Sequence, residues 1–219
     1  MKKVFLFLLA FLGYTVLRAQ QLPFQDEITA FRKADSTNPP PAHPIVFTGS
    51  SSFRKWTGVR EAFPGYPIIN RGFGGSTFPD VIRYTGDVIF KYKPRQIVIY
   101  CGDNDLASSD TVTAQVVFRR FKELFYLIRG KLKHTDILYV SIKPSPSRER
   151  LMPRMEEANR LISGFLQGQK HATFVDVYHP MLTPEGKPMG DIFEDDRLHM
   201  NARGYAIWQR LILPFLAKS

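Results

Sequence analysis

The chain has 219 residues, 30 Lys and Arg against 20 Asp and Glu, a formal charge of +10 and 44% hydrophobic residues. That balance excludes a disordered or low-complexity polymer, and a lone cysteine, Cys101, excludes an internal disulfide framework. The cations are scattered among acids from Arg32 to Lys218, which points to a solvated basic surface and away from nucleic acid as a partner.

Lys2 and Lys3 precede a mostly apolar run over residues 4–12, and Leu17-Arg18-Ala19 forms a small-residue exit. A membrane-spanning helix needs about twenty apolar residues, whereas Gly13, Tyr14 and Arg18 interrupt this stretch. Residues 1–19 are therefore expected to be a signal peptide cleaved after Ala19, exporting the protein to a periplasmic, secreted or cell-surface location. Loss of Lys2, Lys3 and Arg18 would take the charge from +10 to +7. No cysteine at that junction offers itself for lipid attachment, and no later run is long enough to insert stably in a membrane.

The remaining length suits one domain. Phe24, Ile28 and Phe31 recur at helical spacing, so residues 24–34 are expected to form a short amphipathic helix. The run Asn38-Pro39-Pro40-Pro41 then forces an extended connection, making residues 20–44 an N-terminal helix and linker ahead of a main domain over 45–219. Short apolar runs at 45–48, 67–70, 96–100, 137–142 and 173–177 read as buried strands. Helical patterns at 77–90, 112–132, 148–167 and 201–217 come after the later four. Such alternation predicts an α/β fold, a mostly parallel five-stranded sheet covered by helices on both faces. Cys101, flanked by the apolar residues 97–100, is expected to be buried at a strand end.

Ligands of open parallel sheets sit beyond the carboxyl ends of the strands. Four polar segments fall there: Gly49-Ser50-Ser51-Ser52, the run 70–77 with Gly72, Gly74 and Gly75, Gly102-Asp103-Asn104-Asp105, and Asp195-Asp196-Arg197-Leu198-His199 before the last helix. Each alone is ordinary turn or cap material. Together they supply what acyl transfer requires: a nucleophile, a base, an orienting acid and donors for an oxyanion.

This set resembles the SGNH hydrolases, also called GDSL esterases and lipases, from about Ile45 to Tyr205. The family's Gly-Asp-Ser block is similar to Gly49-Ser50-Ser51, its glycine block to residues 70–77, its Gly-x-Asn-Asp block to the segment holding Asn104, and its Asp-x-x-His block to Asp196 and His199. The resemblance implies a flavodoxin-like three-layer α/β/α sandwich. It implies Ser51 as nucleophile, His199 as base and Asp196 as its orienting acid, with Ser51, Gly75 and Asn104 forming the oxyanion hole. This chain departs from the family in placing Ser50 where an aspartate is usual. Three consecutive serines result, with Ser52 as the fallback nucleophile.

No cofactor is expected, and His43, His134, His171 and His179 lack partners at metal-ligand spacing. Asp105 reads as a loop brace, and Asp195 as a lesser candidate than Asp196. Trp56, Phe73 and Phe78 are candidates either for a subsite or for the core; Arg71 and Arg148 are positioned for an anionic substrate group. The expected activity is hydrolysis of a carboxylic ester on a small-molecule or carbohydrate substrate, with a leaning toward short acyl groups. No long apolar insertion offers a lid. Transfer of the acyl group to a sugar and a non-catalytic carbohydrate- or lipid-binding role remain alternatives, and oligomeric state is open.

Overall fold

Phe24, Ile28 and Phe31 set one face of helix α1 (Gln25–Thr37) against the main domain, where Ile28 is fully buried. The computed structural model describes residues 22–218, so the expected leader over residues 1–19 lies outside the described residues. Among those described, no helix is long and apolar enough to cross a membrane.

Five strands come after the linker: β1 (Ile45–Gly49), β2 (Ile68–Gly72), β3 (Gln96–Tyr100), β4 (Asp136–Val140) and β5 (Ala172–Val175). All pair in parallel in the order β2-β1-β3-β4-β5, with Ile45 opposite both Ile68 and Gln96. Strands covered on both faces must be apolar at successive positions, because odd and even side chains enter different layers. Ile97, Ile99, Ile137 and Tyr139 accordingly pack with α1 and with α4 (Phe78–Arg83), α7 (Ala114–Lys131) and α8 (Met152–Gln167). Phe47, Val98, Tyr100 and Val140 face the opposite layer, which contains Phe53, Trp56, Phe63 and Trp208. Burying such a ring stabilises by about 1.5–3 kcal/mol. The protein is thus a three-layer α/β/α sandwich.

Short helices also form on the loops: α2 (Ser51–Arg54), α3 (Val59–Ala62), α5 (Thr85–Val88) and α6 (Asp103–Ser108), with α9 (Ala202–Ile212) closing the second layer. The helix expected over 77–90 is broken into α4, α5 and a 3-10 turn. Thr85 Oγ1 donates to the Ile82 carbonyl at 3.0 Å, and Gly86 weakens the helix immediately beyond it. Residues 146–151, in which the helix expected over 148–167 was to begin, form a 3-10 turn with Arg148 at φ −120° and ψ 23°, outside helical geometry. The last helix stops at Ile212 because Pro214 lacks the N–H that would continue it.

Candidate active site

Gly49 ends β1 at φ +126°, a conformation open to glycine. A Cβ there would lie 1.9 Å from the Tyr100 carbonyl oxygen of β3, so the two strands approach closely only because the side chain is absent. β1 and β3 are also where the strand order reverses, the crevice in which open α/β sheets bind ligands. The chain leaving β1 turns at once into α2, with Ser51 as its first residue.

Three serines occupy this turn and point differently. Ser50 and Ser52 are buried, and the Ser50 hydroxyl has no hydrogen-bond partner. Ser51 Oγ alone among them meets an imidazole, 2.9 Å from His199 Nε2. On the far side of that ring, His199 Nδ1 lies 2.5 Å from Asp196 Oδ2. The backbone N–H groups of Leu198 and His199 donate to Asp196 Oδ1 at 2.9 and 2.8 Å. Burial acts to raise the Asp196 carboxyl, but the hydrogen bonds from His199 and the two amides outweigh it and hold the group well below the usual carboxylate range. Arg197 sits at φ +54° in the turn, where its carbonyl accepts the Ser147 N–H at 3.0 Å. Lys143, fully buried after β4, donates to the neighbouring Leu198 carbonyl at 2.7 Å, and burial lowers its ammonium to about 8.

The second block approaches from β2. Asn70 donates to the Phe53 carbonyl at 2.6 Å and accepts the Gly72 N–H at 3.0 Å, tying α2 to this loop. Ser76 Oγ donates to the Gly49 carbonyl at 2.9 Å. Gly75 is exposed, and a Cβ built on it would stand 3.8 Å from Asn104 Nδ2. Asn104 Nδ2 donates one hydrogen to the Ser76 carbonyl at 3.2 Å, which leaves its second hydrogen available. Its Oδ1 accepts from Arg148 at 2.8 Å, fixing which end of the amide faces the crevice. Within the described residues the N–H groups of Ser51 and Gly75 have no backbone or side-chain acceptor. The arrangement can pass a proton between a hydroxyl and an imidazole and can present three N–H donors to a developing anion.

The other expectations divide. Asp105, fully buried, accepts from the Phe78 N–H at 3.0 Å and from Arg120 at 2.8 Å, a brace between loop and helices. Asp195 is exposed and does not reach His199. Trp56, Phe73 and Phe78 are core residues. Both arginines are already paired with carboxylates. Arg71 is paired with Asp35 and lies between the Phe31 and Tyr92 rings, each 5.0 Å away, while Arg148 holds Asp103 at 2.9 Å as well as Asn104.

Sequence reasoning passed over a second Asp-x-x-His turn. Asp176 and His179 repeat that contact, with Nδ1 to Oδ2 at 2.6 Å, but among the described residues no serine hydroxyl is hydrogen-bonded to that ring. Lys143 and Arg148 were not recognisable as supports because each acts across a long sequence separation. Among the described residues, no three His, Cys, Asp or Glu side chains gather as a metal site. A cavity of about 720 Å³ opens beside Asp196, lined by Arg54, Lys55, Glu194 and Tyr205 among others, but neither Ser51 nor His199 borders it.

The model of the GDSL-like Lipase/Acylhydrolase family matches residues 26–207. No curated protein matches the chain significantly. Among solved structures, one from Streptococcus pneumonia, provisionally described as a platelet activating factor, is 19% identical with a TM-score of 0.76, covering 88% of this chain and 92% of its own. A GDSL-like lipase from Bacteroides thetaiotaomicron is 24% identical with a TM-score of 0.67, over 84% and 96% of the two chains. An acetylxylan esterase from Geobacillus stearothermophilus is 14% identical with a TM-score of 0.63, over 81% and 96%. At these identities the likeness is one of fold.

Proposed function

Because the chain belongs to the GDSL-like lipase/acylhydrolase family and is a carboxylester hydrolase, we propose that it works through an acyl-enzyme on Ser51, with His199 as general base and Asp196 as its orienting acid. The observation that carries this reading is the continuous chain of contacts from Ser51 Oγ to His199 Nε2 and from His199 Nδ1 to Asp196. His199 takes the hydroxyl proton as Ser51 attacks the ester carbonyl, then returns it to the leaving alkoxide. Asp196 holds the imidazole tautomer and stabilises its charged form. The oxyanion is received by the N–H groups of Ser51 and Gly75 and by Asn104 Nδ2. Water then repeats the sequence on the acyl-enzyme, releasing the acid and restoring the serine.

The substrates are short acyl esters, including those on carbohydrates. The blocks are joined without a long apolar insertion that would cover an acyl chain, and an acetylxylan esterase shares the fold. The protein acts outside the cytoplasm after cleavage at Ala19, a reading supported by the basic and apolar leader. N-terminal sequencing of exported protein tests it, with Gln20 as the expected first residue.

Steady-state hydrolysis of p-nitrophenyl acetate, butyrate and octanoate tests the catalytic assignment. Ser51→Ala is expected to abolish turnover and Ser52→Ala to retain it, with acetate and butyrate preferred over octanoate. Full activity in Ser51→Ala would remove this serine from the mechanism.

A further inference from the structure

We propose that Glu27, on the N-terminal helix and outside every sequence block associated with catalysis, is a positioning residue that holds the oxyanion loop against the nucleophile's helix. The proposal rests on the Ser51 mechanism above.

One carboxylate oxygen joins the two halves of the site. Glu27 Oε2 accepts the Gly74 N–H at 3.1 Å and lies 2.8 Å from Arg54 Nε. Gly74 immediately precedes the proposed oxyanion donor Gly75, and Arg54 ends the short helix that begins with Ser51. A bond to the Gly74 amide bears directly on the next peptide. Two consecutive glycines have unusual rotational freedom, and Gly74 already sits at φ +33°. Without an acceptor for the Gly74 N–H, the Gly74–Gly75 segment has more orientations available. Only some of them aim the Gly75 N–H at the oxyanion.

The first turn of α1 is fitted to this loop. A Cβ on Gly74 would lie 2.3 Å from Phe24 Cε1 and 3.1 Å from Glu27 Oε1, so helix and loop touch through the glycine backbone. Phe24 also packs edge-on against Phe73, with ring centroids 5.4 Å apart. The helix has anchors of its own elsewhere. Arg32 makes a bidentate pair with Asp87 at 2.7 and 2.9 Å, Tyr84 donates to the Pro23 carbonyl at 2.7 Å, and Ile28 is buried. Removing the Glu27 carboxylate therefore leaves α1 docked while releasing the loop and its tie to Arg54 on α2.

The test compares Glu27→Ala, Glu27→Gln and Arg32→Ala with wild type, using p-nitrophenyl acetate and an alkyl trifluoromethyl ketone whose serine adduct carries the oxyanion. Acylation and deacylation both pass through that anion, so a misplaced donor slows both and leaves KM in place. Glu27→Ala is expected to lower kcat about tenfold with KM within twofold, and to raise the ketone inhibition constant by the same factor. Glu27→Gln keeps an acceptor for Gly74 and should recover to within about threefold of wild type. Arg32→Ala, which loosens the helix without touching the loop, should lower the melting temperature and leave kcat unchanged. Wild-type kcat in Glu27→Ala, equal losses in Glu27→Ala and Arg32→Ala, or no recovery in Glu27→Gln would each overturn the proposal. Ser51→Ala measured alongside separates the two readings: activity there sinks the serine mechanism, whereas its loss beside an unaffected Glu27→Ala sinks this inference alone.

Discussion

Replacing Arg148 by alanine removes two hydrogen bonds with separate consequences. The guanidinium holds Asp103 at 2.9 Å, and the two side chains are 16% and 6% exposed. The other Asp103 oxygen, Oδ1, is buried without a hydrogen-bond partner, so the variant would leave an almost wholly desolvated carboxylate with no hydrogen-bonded cation. Breaking a buried pair by deleting one member costs about 3–5 kcal/mol, which for a domain of this size lowers the melting temperature by about 10 °C. The second bond, 2.8 Å to Asn104 Oδ1, orients the amide whose nitrogen serves the oxyanion. Losing such a donor outright costs about 10²–10³ in kcat. A donor that is still present but free to rotate should cost less, about 10- to 100-fold. Arg148→Lys keeps a cation near Asp103 but not the fork that reaches both acceptors, so it should recover most of the stability and little of kcat. Thermal melts and steady-state hydrolysis of p-nitrophenyl acetate on the three proteins read both effects. If Arg148→Ala keeps kcat within twofold of wild type, the orientation of Asn104 does not depend on this arginine and the reasoning fails.

Asp196→Asn should lower kcat by on the order of 10³–10⁴ while exposed Asp195→Asn stays within twofold, both read by steady-state kinetics; equal losses would reassign the acid. Gly49→Ala places a Cβ 1.9 Å from the Tyr100 oxygen at φ +126°, so it should destabilise by about 4 kcal/mol or prevent folding. A urea midpoint near that of wild type would contradict that close approach. Lys143 is deprotonated in the folded protein above about 8, while its ordinary value is 10.5. The unfolded chain therefore binds the extra proton between those values, and this residue's contribution makes stability rise with pH there. Relative to Lys143→Met, wild type should gain about 2 kcal/mol over the 1.5 units above 8, at about 1.4 kcal/mol per unit. Urea unfolding of both proteins across that window checks it, and parallel curves would show that the lysine does not titrate there.

The sheet was legible from local pattern. Residues 96–100 match β3 to the residue: a strand covered on both faces carries a continuous apolar run, here 97–100 after Gln96, and the turn at Gly102 ends it. The four loops were legible for a related reason: chemistry on such a sheet collects just after its strands. Helix interiors were less so. The break at Thr85 depends on a side chain competing for the Ile82 carbonyl, which hydrophobic spacing does not register.

The sequence alone determined the alternation of strands and helices and the set of residue types delivered to one edge of the sheet. Which of those residues meet was decided by tertiary structure. Asp-x-x-His occurs at 176–179 as well as 196–199, with the same Asp–His contact in both; His199 differs because α9, which follows it, packs on α2 through the Tyr205 bond to the Ser52 carbonyl, and so sets it against a serine far away in sequence. Ser51 differs from Ser50 and Ser52 only in where the turn after Gly49 points its hydroxyl. Arg148 and Glu27 reach the site from outside its sequence blocks. Hydrophobic period is a property of neighbouring residues and survives in the sequence, whereas hydrogen-bond partnership is a property of space, set here by strand order and by the close approach of β1 to β3.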